Sequence, residues 1–270
     1  CIRDSLANCT PSKIREFNSL ASKLNAKFKL TLGEPDFDTP IEIKDALIEA
    51  VNQNHTRYAP TVGNKNLREE ICKFEKRVNK VSYEPDEVLI TTGSTEALTA
   101  ALFTLLNQDD EVIVPIPCYA LYEPVISYCG AKMIPLDTRP NFQISKGNLE
   151  ALINNKTKAI LLTSPNNPTG TIYDDKTLEN IYNIVKDTNI LVICDNCYDQ
   201  LVYGKRRLGF SKYQDLKDQI IVCQSFSKPY AMTGWRLGYM LGNKDLLDKI
   251  SIIHQYMVCL LYTSDAADEL

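Results

Sequence analysis

The stretch SFSKPYAMTGWRLGY, residues 225–239, carries the pattern that decides the fold of this 270-residue chain. It places one lysine, Lys228, among small residues and hydroxyls, and Arg236 follows eight positions later. A lysine amine in a partly dry pocket can attack a carbonyl carbon. The arginine can hold a phosphate through paired hydrogen bonds, and Ser225 and Ser227 add hydroxyl donors. Taken alone, the stretch could also be a solvated loop. The rest of the chain is needed to distinguish a loop from a binding site.

Composition narrows the class of protein. Hydrophobic residues make up 44% of the chain and charged residues 24%, and the net charge is −4. Because no basic patch stands out, we expect no nucleic-acid partner. The apolar runs are too short to cross a bilayer, so we expect no membrane partner either. Nine cysteines without a disulfide framework favour a reducing, cytoplasmic setting, and the isolated pair Cys194 and Cys197 predicts no metal site.

Short apolar runs alternate with amphipathic segments along most of the chain. Several of the runs are apolar throughout, as in strands that are covered on both faces. We therefore predict an α/β fold with a mostly parallel sheet sandwiched by helices. The predicted strands are 87–92, 111–115, 131–136, 158–164, 190–195 and 219–225, and the predicted helices are 12–24, 41–52, 65–79, 95–106, 120–129, 174–186 and 244–256.

Residues suited to ligand binding follow several predicted strands, where α/β sheets bind their ligands. TTGSTEAL (91–98) combines a glycine turn with a helix start whose free N–H groups suit a phosphate, although Ser94 could simply be an N-cap. SPNNPTG (164–170) is either a plain turn or a rigid support for an asparagine amide. Asp195 ends an apolar strand, where a carboxylate is costly unless it is paired, and Tyr198 can reach the same pocket.

One cofactor would use all of these groups together. Pyridoxal phosphate has a phosphate, a reactive aldehyde and a ring nitrogen that needs an acidic partner. The ordered motifs resemble those of the class I, fold-type I pyridoxal-phosphate-dependent aminotransferases, the aspartate, aromatic and N-acetyl-diaminopimelate group. The motifs that carry this resemblance are PSKIREFNSLA, LTLGEPDFDTP, RYAPTVGNKNLRE, TTGSTEAL, PIPCYALYEP, SPNNPTG, DNCYDQLVY, SFSKPYAMTGWRLGY and HQYMV.

The resemblance implies an enzyme that moves an amino group between an amino acid and a 2-oxo acid. It implies that residues 1–40 belong to a small domain, which is incomplete here, and that residues 41–258 form the large cofactor-binding domain. It also implies a homodimer, because Tyr58 would reach the phosphate in the neighbouring subunit. Gly33 would lie near the substrate carboxylate.

The resemblance also assigns roles to individual residues. Lys228 would form the internal aldimine and move the substrate proton, and Asp195 would pair with the pyridinium nitrogen. Tyr198 and Asn167 would hydrogen-bond the phenolic oxygen of the ring, with Asn167 also near the substrate. The remaining contacts to the ring and the phosphate would come from Tyr119, which stacks on the ring, and from Ser94, Thr95, Ser225, Ser227 and Arg236.

Three features depart from the family pattern. DNCY (195–198) is an unusual variant that keeps the aspartate and the tyrosine, and Pro229 follows the lysine where another residue is usual. CLLYTSDAADE (259–269) matches a translated sequencing-library adapter, so we expect residues 259–270 to be non-native. The family arginine that binds the substrate carboxylate would then lie beyond Val258. We therefore expect the chain as written to bind cofactor weakly and to turn over little substrate.

Two other functions remain open from the sequence. A carbon–sulfur β-lyase that depends on pyridoxal phosphate shares the same pocket residues. From a different class, the chain could be the effector-binding, aminotransferase-like domain of a transcription regulator. No winged-helix region precedes residue 12, which argues against that regulator.

Overall fold

A seven-stranded sheet forms the centre of the protein. The structure is a computed structural model that describes residues 13–24, 28, 31, 33–204 and 207–258, so the predicted non-native tail lies outside it. The strand order is β1-β7-β6-β5-β4-β2-β3, and all neighbouring strands are parallel except β7, which is antiparallel to both β1 and β6. The strands are β1 (Val88–Thr91), β2 (Glu111–Ile116), β3 (Lys132–Asp137), β4 (Thr157–Thr163), β5 (Leu191–Asp195), β6 (Ile220–Ser225) and β7 (Gly238–Leu241).

Helices cover both faces of the sheet. Among the residues described, no helix is long and apolar enough to span a membrane. The helices are α1 (Lys13–Lys23), α2 (Ile41–Asn52), α3 (Lys65–Val78), α4 (Ser94–Leu105), α5 (Tyr122–Tyr128), α6 (Lys146–Glu150), α7 (Asp175–Val185) and α8 (Lys244–Val258).

Two hydrophobic cores, one on each face of the sheet, hold these layers together. Helices α3, α6 and α7 pack on one face, and α4, α5 and α8 pack on the other. Successive residues of a central strand enter opposite cores, as Val192 and Ile193 of β5 do, because side chains alternate along a strand. Strands buried on both faces must be apolar throughout, and this explains why the apolar runs predicted them. The prediction of a mostly parallel sheet sandwiched by helices is confirmed.

The sequence pattern missed two short elements and left one question open. Strand β7 has only four residues, and α6 has only five. The alternative that Ser94 caps helix α4 is wrong. Gly93 occupies the N-cap position with φ +88°, and Ser94 is the first helical residue. The predicted domain boundary at residue 40 falls immediately before α2 and stays a prediction.

Gly238, the first residue of β7, allows a close approach of three chain segments. A Cβ at this position would lie 2.5 Å from the carbonyl oxygen of Gln224 and 2.9 Å from the backbone of Gly93. Both neighbours are backbone atoms, which cannot rotate away as a flexible side chain can. Only glycine therefore fits at the start of β7.

We expect Gly238→Ala to lower the free energy of unfolding by about 1–3 kcal/mol, because the methyl group overpacks this contact. Gly147→Ala is the matched control, since a Cβ there would have no atom within 4 Å and glycine is a poor helix former in α6. Urea unfolding of both variants measures the difference. Equal stability of the two variants would contradict the close approach.

Candidate active site

Five of the strands bring the candidate residues to one edge of the sheet. The carboxyl ends of β1, β2, β4, β5 and β6 lie together there, and β7 begins at the same edge because it runs antiparallel. Gly238 pairs with Thr91 of β1 and also with Ser225 of β6. The turn after β1 and the lysine loop after β6 are therefore neighbours, and Arg236 enters between them two residues before β7.

The guanidinium of Arg236 lies against the turn that starts α4. Its Nη2 donates to the Thr92 carbonyl over 3.4 Å, and its Nη1 donates to the Thr233 carbonyl over 3.2 Å. A Cβ on Gly93 would lie only 2.8 Å from Nη2, so the guanidinium occupies the space that the glycine leaves. A guanidinium beside the free N–H groups of a helix start forms an anion site suited to a phosphate.

The four predicted hydroxyl residues lie on the two segments that flank this anion site. Ser94 and Thr95 open helix α4, where Ser94 is half-buried and Thr95 is exposed. Ser225 ends β6, and its Oγ accepts a hydrogen bond of 3.1 Å from the backbone N–H of Ser227. Both of these serines are buried. The turn after β1 and the loop after β6 thus bring hydroxyl groups towards one anion site from two sides.

Asp195 is a buried carboxylate at the end of β5, with only 3% of its surface exposed. Its Oδ2 accepts a hydrogen bond of 2.8 Å from the Tyr122 hydroxyl, and its Oδ1 accepts a weaker one of 3.4 Å from the Cys197 backbone. Burial raises the pKa of Asp195, and these hydrogen bonds offset part of that rise. No cationic side chain in the described ranges forms an ion pair with it. A protonated ring nitrogen is the kind of partner that such a carboxylate lacks.

Tyr122 and Thr163 support Asp195, and the sequence analysis missed both. The Tyr122 hydroxyl also lies 2.6 Å from Oγ1 of Thr163, so it bridges the ends of β4 and β5. Its ring meets the ring of Tyr119 edge to face, with the centroids 5.7 Å apart. Tyr119 is thereby packed against the residue that hydrogen-bonds Asp195, and its stacking on a cofactor ring stays a prediction.

Four predicted site residues converge next to this carboxylate. They are Lys228, Tyr198, Asn167 and Gly33. Nζ of Lys228 lies 6.0 Å from the ring centroid of Tyr198 and donates a hydrogen bond to the carbonyl of Gly33. Nδ2 of Asn167 lies 3.5 Å from the Tyr198 hydroxyl. Burial raises the pKa of Tyr198, and the nearby Cys197 and Asp195 raise it further. The phenol therefore stays protonated and can donate a hydrogen bond to an oxygen of a ligand.

Tyr58 is the one predicted site residue that the chain does not bring to this cluster. It lies on the loop between α2 and α3, and 67% of its surface is exposed. The expectation that Cys194 and Cys197 form no metal site stays a prediction. The described residues contain no group of three or more histidine, cysteine or acidic side chains that could hold a metal ion. Burial raises the pKa of the Cys194 thiol to about 12, which disfavours the thiolate that a metal would need.

Comparison with known proteins places this geometry in a family. The chain matches the family described as aminotransferase class I and II over residues 25–267. It is 37% identical to the probable N-acetyl-LL-diaminopimelate aminotransferase of Bacillus subtilis, covering 92% of this chain and 63% of that protein. It is also 37% identical to the probable aspartate aminotransferase of Methanocaldococcus jannaschii, covering 92% and 67%. The chain thus spans about two thirds of the length of these relatives.

A solved structure shows the same architecture. The aspartate aminotransferase from Thermus thermophilus with maleate superposes with a TM-score of 0.90 at 29% identity, covering 95% of this chain and 68% of that one. This similarity confirms the predicted fold-type I architecture. All three of these proteins are named as aminotransferases.

The raised pKa of Asp195 predicts how the cofactor-free protein responds to pH. A carboxyl whose pKa is raised in the folded state destabilises that state as pH rises above its ordinary value of 3.8. Below that value the group is protonated in both the folded and the unfolded chain, and it contributes nothing. Asp195→Asn removes the ionisation and keeps an oxygen that can accept the Tyr122 hydrogen bond.

We therefore expect Asp195→Asn to raise the free energy of unfolding of the cofactor-free protein at pH 7 by about 1 kcal/mol or more. The gain should disappear as pH falls towards 3.8. Urea unfolding between pH 4 and 8 measures it, with the exposed Asp187→Asn as the control. A loss of stability at pH 7 would show that Asp195 is not a buried, uncompensated carboxylate.

Proposed function

Because the chain belongs to the class I and II aminotransferases, we propose that it transfers an amino group between an amino acid and a 2-oxo acid. Members of this family use pyridoxal phosphate. The observation that carries the proposal is the convergence of Lys228, Asp195 and Tyr198 beside the anion site formed by Arg236 and the start of α4. Each chemical group of the cofactor has a complementary partner in this arrangement.

The buried, unpaired carboxylate supplies the test of fit. Asp195 would bind the pyridine nitrogen, because a protonated ring nitrogen compensates the cost of burying this charge. Tyr198 and Asn167 would hold the phenolic oxygen, and Tyr119 would cover the ring. The residues that would hold the phosphate are Ser94, Thr95, Ser225, Ser227 and Arg236.

When bound, pyridoxal phosphate withdraws electrons from the substrate Cα and makes its proton removable. Lys228 would hold the cofactor through its amine, and its Nζ would accept the proton from the substrate Cα. The Gly33 carbonyl orients Nζ towards Tyr198 in the structure. Asp195, held by Tyr122, would keep a proton at the ring nitrogen.

Two of the relatives carry a substrate in their names. They are named for aspartate and for N-acetyl-LL-diaminopimelate, so these amino donors are the first to assay. Gly33 lies beside Lys228 and Tyr198, which supports its proposed position near the substrate. Five of the described cysteines are free thiols, which supports a reducing compartment such as the cytoplasm; they are Cys72, Cys118, Cys194, Cys197 and Cys223.

We also propose that two copies share their active sites. The Tyr58 side chain is exposed although tyrosine is largely apolar, and α2, which precedes it, buries no residue at all. Three apolar side chains of α2, Leu47, Ile48 and Val51, are between 47% and 58% exposed. A second copy that covered this surface would receive Tyr58 at its cofactor phosphate.

Borohydride reduction tests the assignment of the lysine. The unaltered protein should retain one covalently trapped cofactor for each chain after incubation with pyridoxal phosphate, and Lys228→Ala should retain none. Lys249→Ala is the control, because Lys249 is exposed on α8. Peptide mass spectrometry locates the label. Label on another lysine in Lys228→Ala would show that the reactive amine has been wrongly assigned.

Stoichiometry tests the reaction itself. With an amino acid as the only substrate, the bound cofactor should accept the amino group in a single turnover, and one 2-oxo acid should be released for each site. A second 2-oxo acid should restart the cycle. Continuous release of pyruvate and ammonia without this acceptor would identify a β-lyase instead.

Hybrid dimers test the shared site. Tyr58→Phe should weaken cofactor binding because the phosphate loses a hydrogen-bond donor, by about tenfold. A hybrid with one Tyr58→Phe chain and one Lys228→Ala chain keeps one site with both native residues. We expect the lysine-bearing chain in this hybrid to trap pyridoxal phosphate with the affinity of the unaltered protein. Affinity that stays at the Tyr58→Phe level would show that Tyr58 does not act across the dimer.

A further inference from the structure

A buried histidine and glutamate lie directly behind the proposed phosphate site. His254 of α8 and Glu96 of α4 are 4% and 7% exposed, and Nδ1 of His254 lies 3.0 Å from Oε1 of Glu96. They are 158 residues apart in the sequence, and they link helices that pack side by side. Neither residue is among those that would contact the cofactor or the substrate.

Both ring nitrogens of His254 face oxygen acceptors. Nε2 lies 3.0 Å from the carbonyl oxygen of Thr61, so this nitrogen must donate. Nδ1 forms a hydrogen bond of 3.0 Å with the carboxylate of Glu96. The pair is therefore a buried hydrogen bond, and losing either member would leave a buried polar group without its partner.

The second oxygen of Glu96 continues the connection towards the phosphate site. Oε2 accepts a hydrogen bond of 3.2 Å from the backbone N–H of Thr92. The carbonyl of the same Thr92 accepts the hydrogen bond from Arg236. Glu96 and Arg236 thus hold the backbone of Thr92 from its two sides, one at the N–H and the other at the carbonyl, and this turn also leads into Ser94.

The other end of the connection holds the loop that carries Tyr58. Thr61 lies three residues after Tyr58 on this loop, and its carbonyl is the acceptor for His254. The backbone N–H of Ile90 in β1 also donates to Val62 over 3.1 Å, so the loop is anchored at two adjacent residues. One histidine therefore touches both the helix that begins at the phosphate site and the loop that would serve the neighbouring site.

We propose that His254 and Glu96 are positioning residues for the cofactor phosphate. They set the conformation of the Thr92 turn and, through Thr61, tie the Tyr58 loop to it. This inference rests on the proposed function, since it concerns the phosphate of the same cofactor. Because the pair acts only at the phosphate end, it should matter for pyridoxal phosphate and not for pyridoxal, which has the same ring and aldehyde but no phosphate.

Dissociation constants of the cofactor-free protein for pyridoxal phosphate and for pyridoxal test the proposal. Glu96→Ala should weaken the binding of pyridoxal phosphate by about tenfold or more, the order expected when the support behind a ligand is removed. Binding of pyridoxal should stay within about twofold. In Glu96→Gln the amide can donate to a neutral His254 and still accept from Thr92, so this conservative variant should bind both ligands nearly as the unaltered protein does.

Two further variants separate positioning from general stability. Ile250→Val loosens the packing of α8 one turn before His254 without touching the hydrogen bonds, and it should leave both affinities unchanged. If Glu96→Ala does not fold, His254→Gln carries the test, because one glutamine cannot reach both Glu96 and Thr61. The double variant Glu96→Ala with His254→Gln should bind pyridoxal phosphate no more weakly than Glu96→Ala alone, because the two residues act through the same hydrogen bonds.

The outcomes distinguish the inference from the function on which it rests. Failure of the unaltered protein to bind pyridoxal phosphate would refute the proposed function. A second outcome is that the unaltered protein binds normally and Glu96→Ala loses affinity equally for both ligands. This result would show that the pair has only a general structural role. Unchanged binding of pyridoxal phosphate in both Glu96→Ala and His254→Gln would overturn the inference outright.

Discussion

The antiparallel strand β7 is the constraint on which the site depends. It lies between β1 and β6, and Gly238 pairs with the last residue of each. A parallel strand would begin at the opposite edge of the sheet and would carry Arg236 away from the lysine loop. Because β7 runs in the reverse direction, the Arg236 guanidinium, the start of α4 and the lysine loop lie at one edge of the sheet. Gly238 has no side chain, so its backbone can approach the backbones of Gln224 and Gly93 closely.

A second constraint is electrostatic. Asp195 is buried where a carboxylate is unfavourable, and the hydrogen bond from Tyr122 offsets only part of the cost. In the proposed function, the cationic ring of the cofactor would compensate this unfavourable group. The stability of the cofactor-free protein and its affinity for the cofactor are therefore linked at Asp195. We expect a substitution of Asp195 that raises the stability to lower the affinity.

The sequence predicted those parts of the fold and of the site that depend on local patterns of residues. Apolar runs predicted six strands to within about two residues, because strands buried on both faces must be apolar throughout. Lys228 and Asp195 could be singled out because a charged residue at the end of such a run is unusual. Strand β7 was missed because GYML is only four residues long and its first two residues belong to the lysine motif.

Contacts that join distant parts of the chain had no local signal. The hydrogen bond from Tyr122 to Asp195 spans 73 residues, and the contact between His254 and Glu96 spans 158. In the sequence, Tyr122 is one of several aromatic residues near a helix start, and Glu96 is an ordinary acidic residue in a first turn. Only the packing of α5 on the sheet and of α8 on α4 gives these residues their roles.

The most direct test of this account is a crystal structure of the protein with pyridoxal phosphate. The account predicts continuous electron density between Nζ of Lys228 and the cofactor, the ring nitrogen about 3 Å from the Asp195 carboxylate, and the phosphate at the start of α4 beside Arg236. A cofactor whose ring nitrogen faces away from Asp195, or whose phosphate lies away from the Thr92 turn, would contradict it.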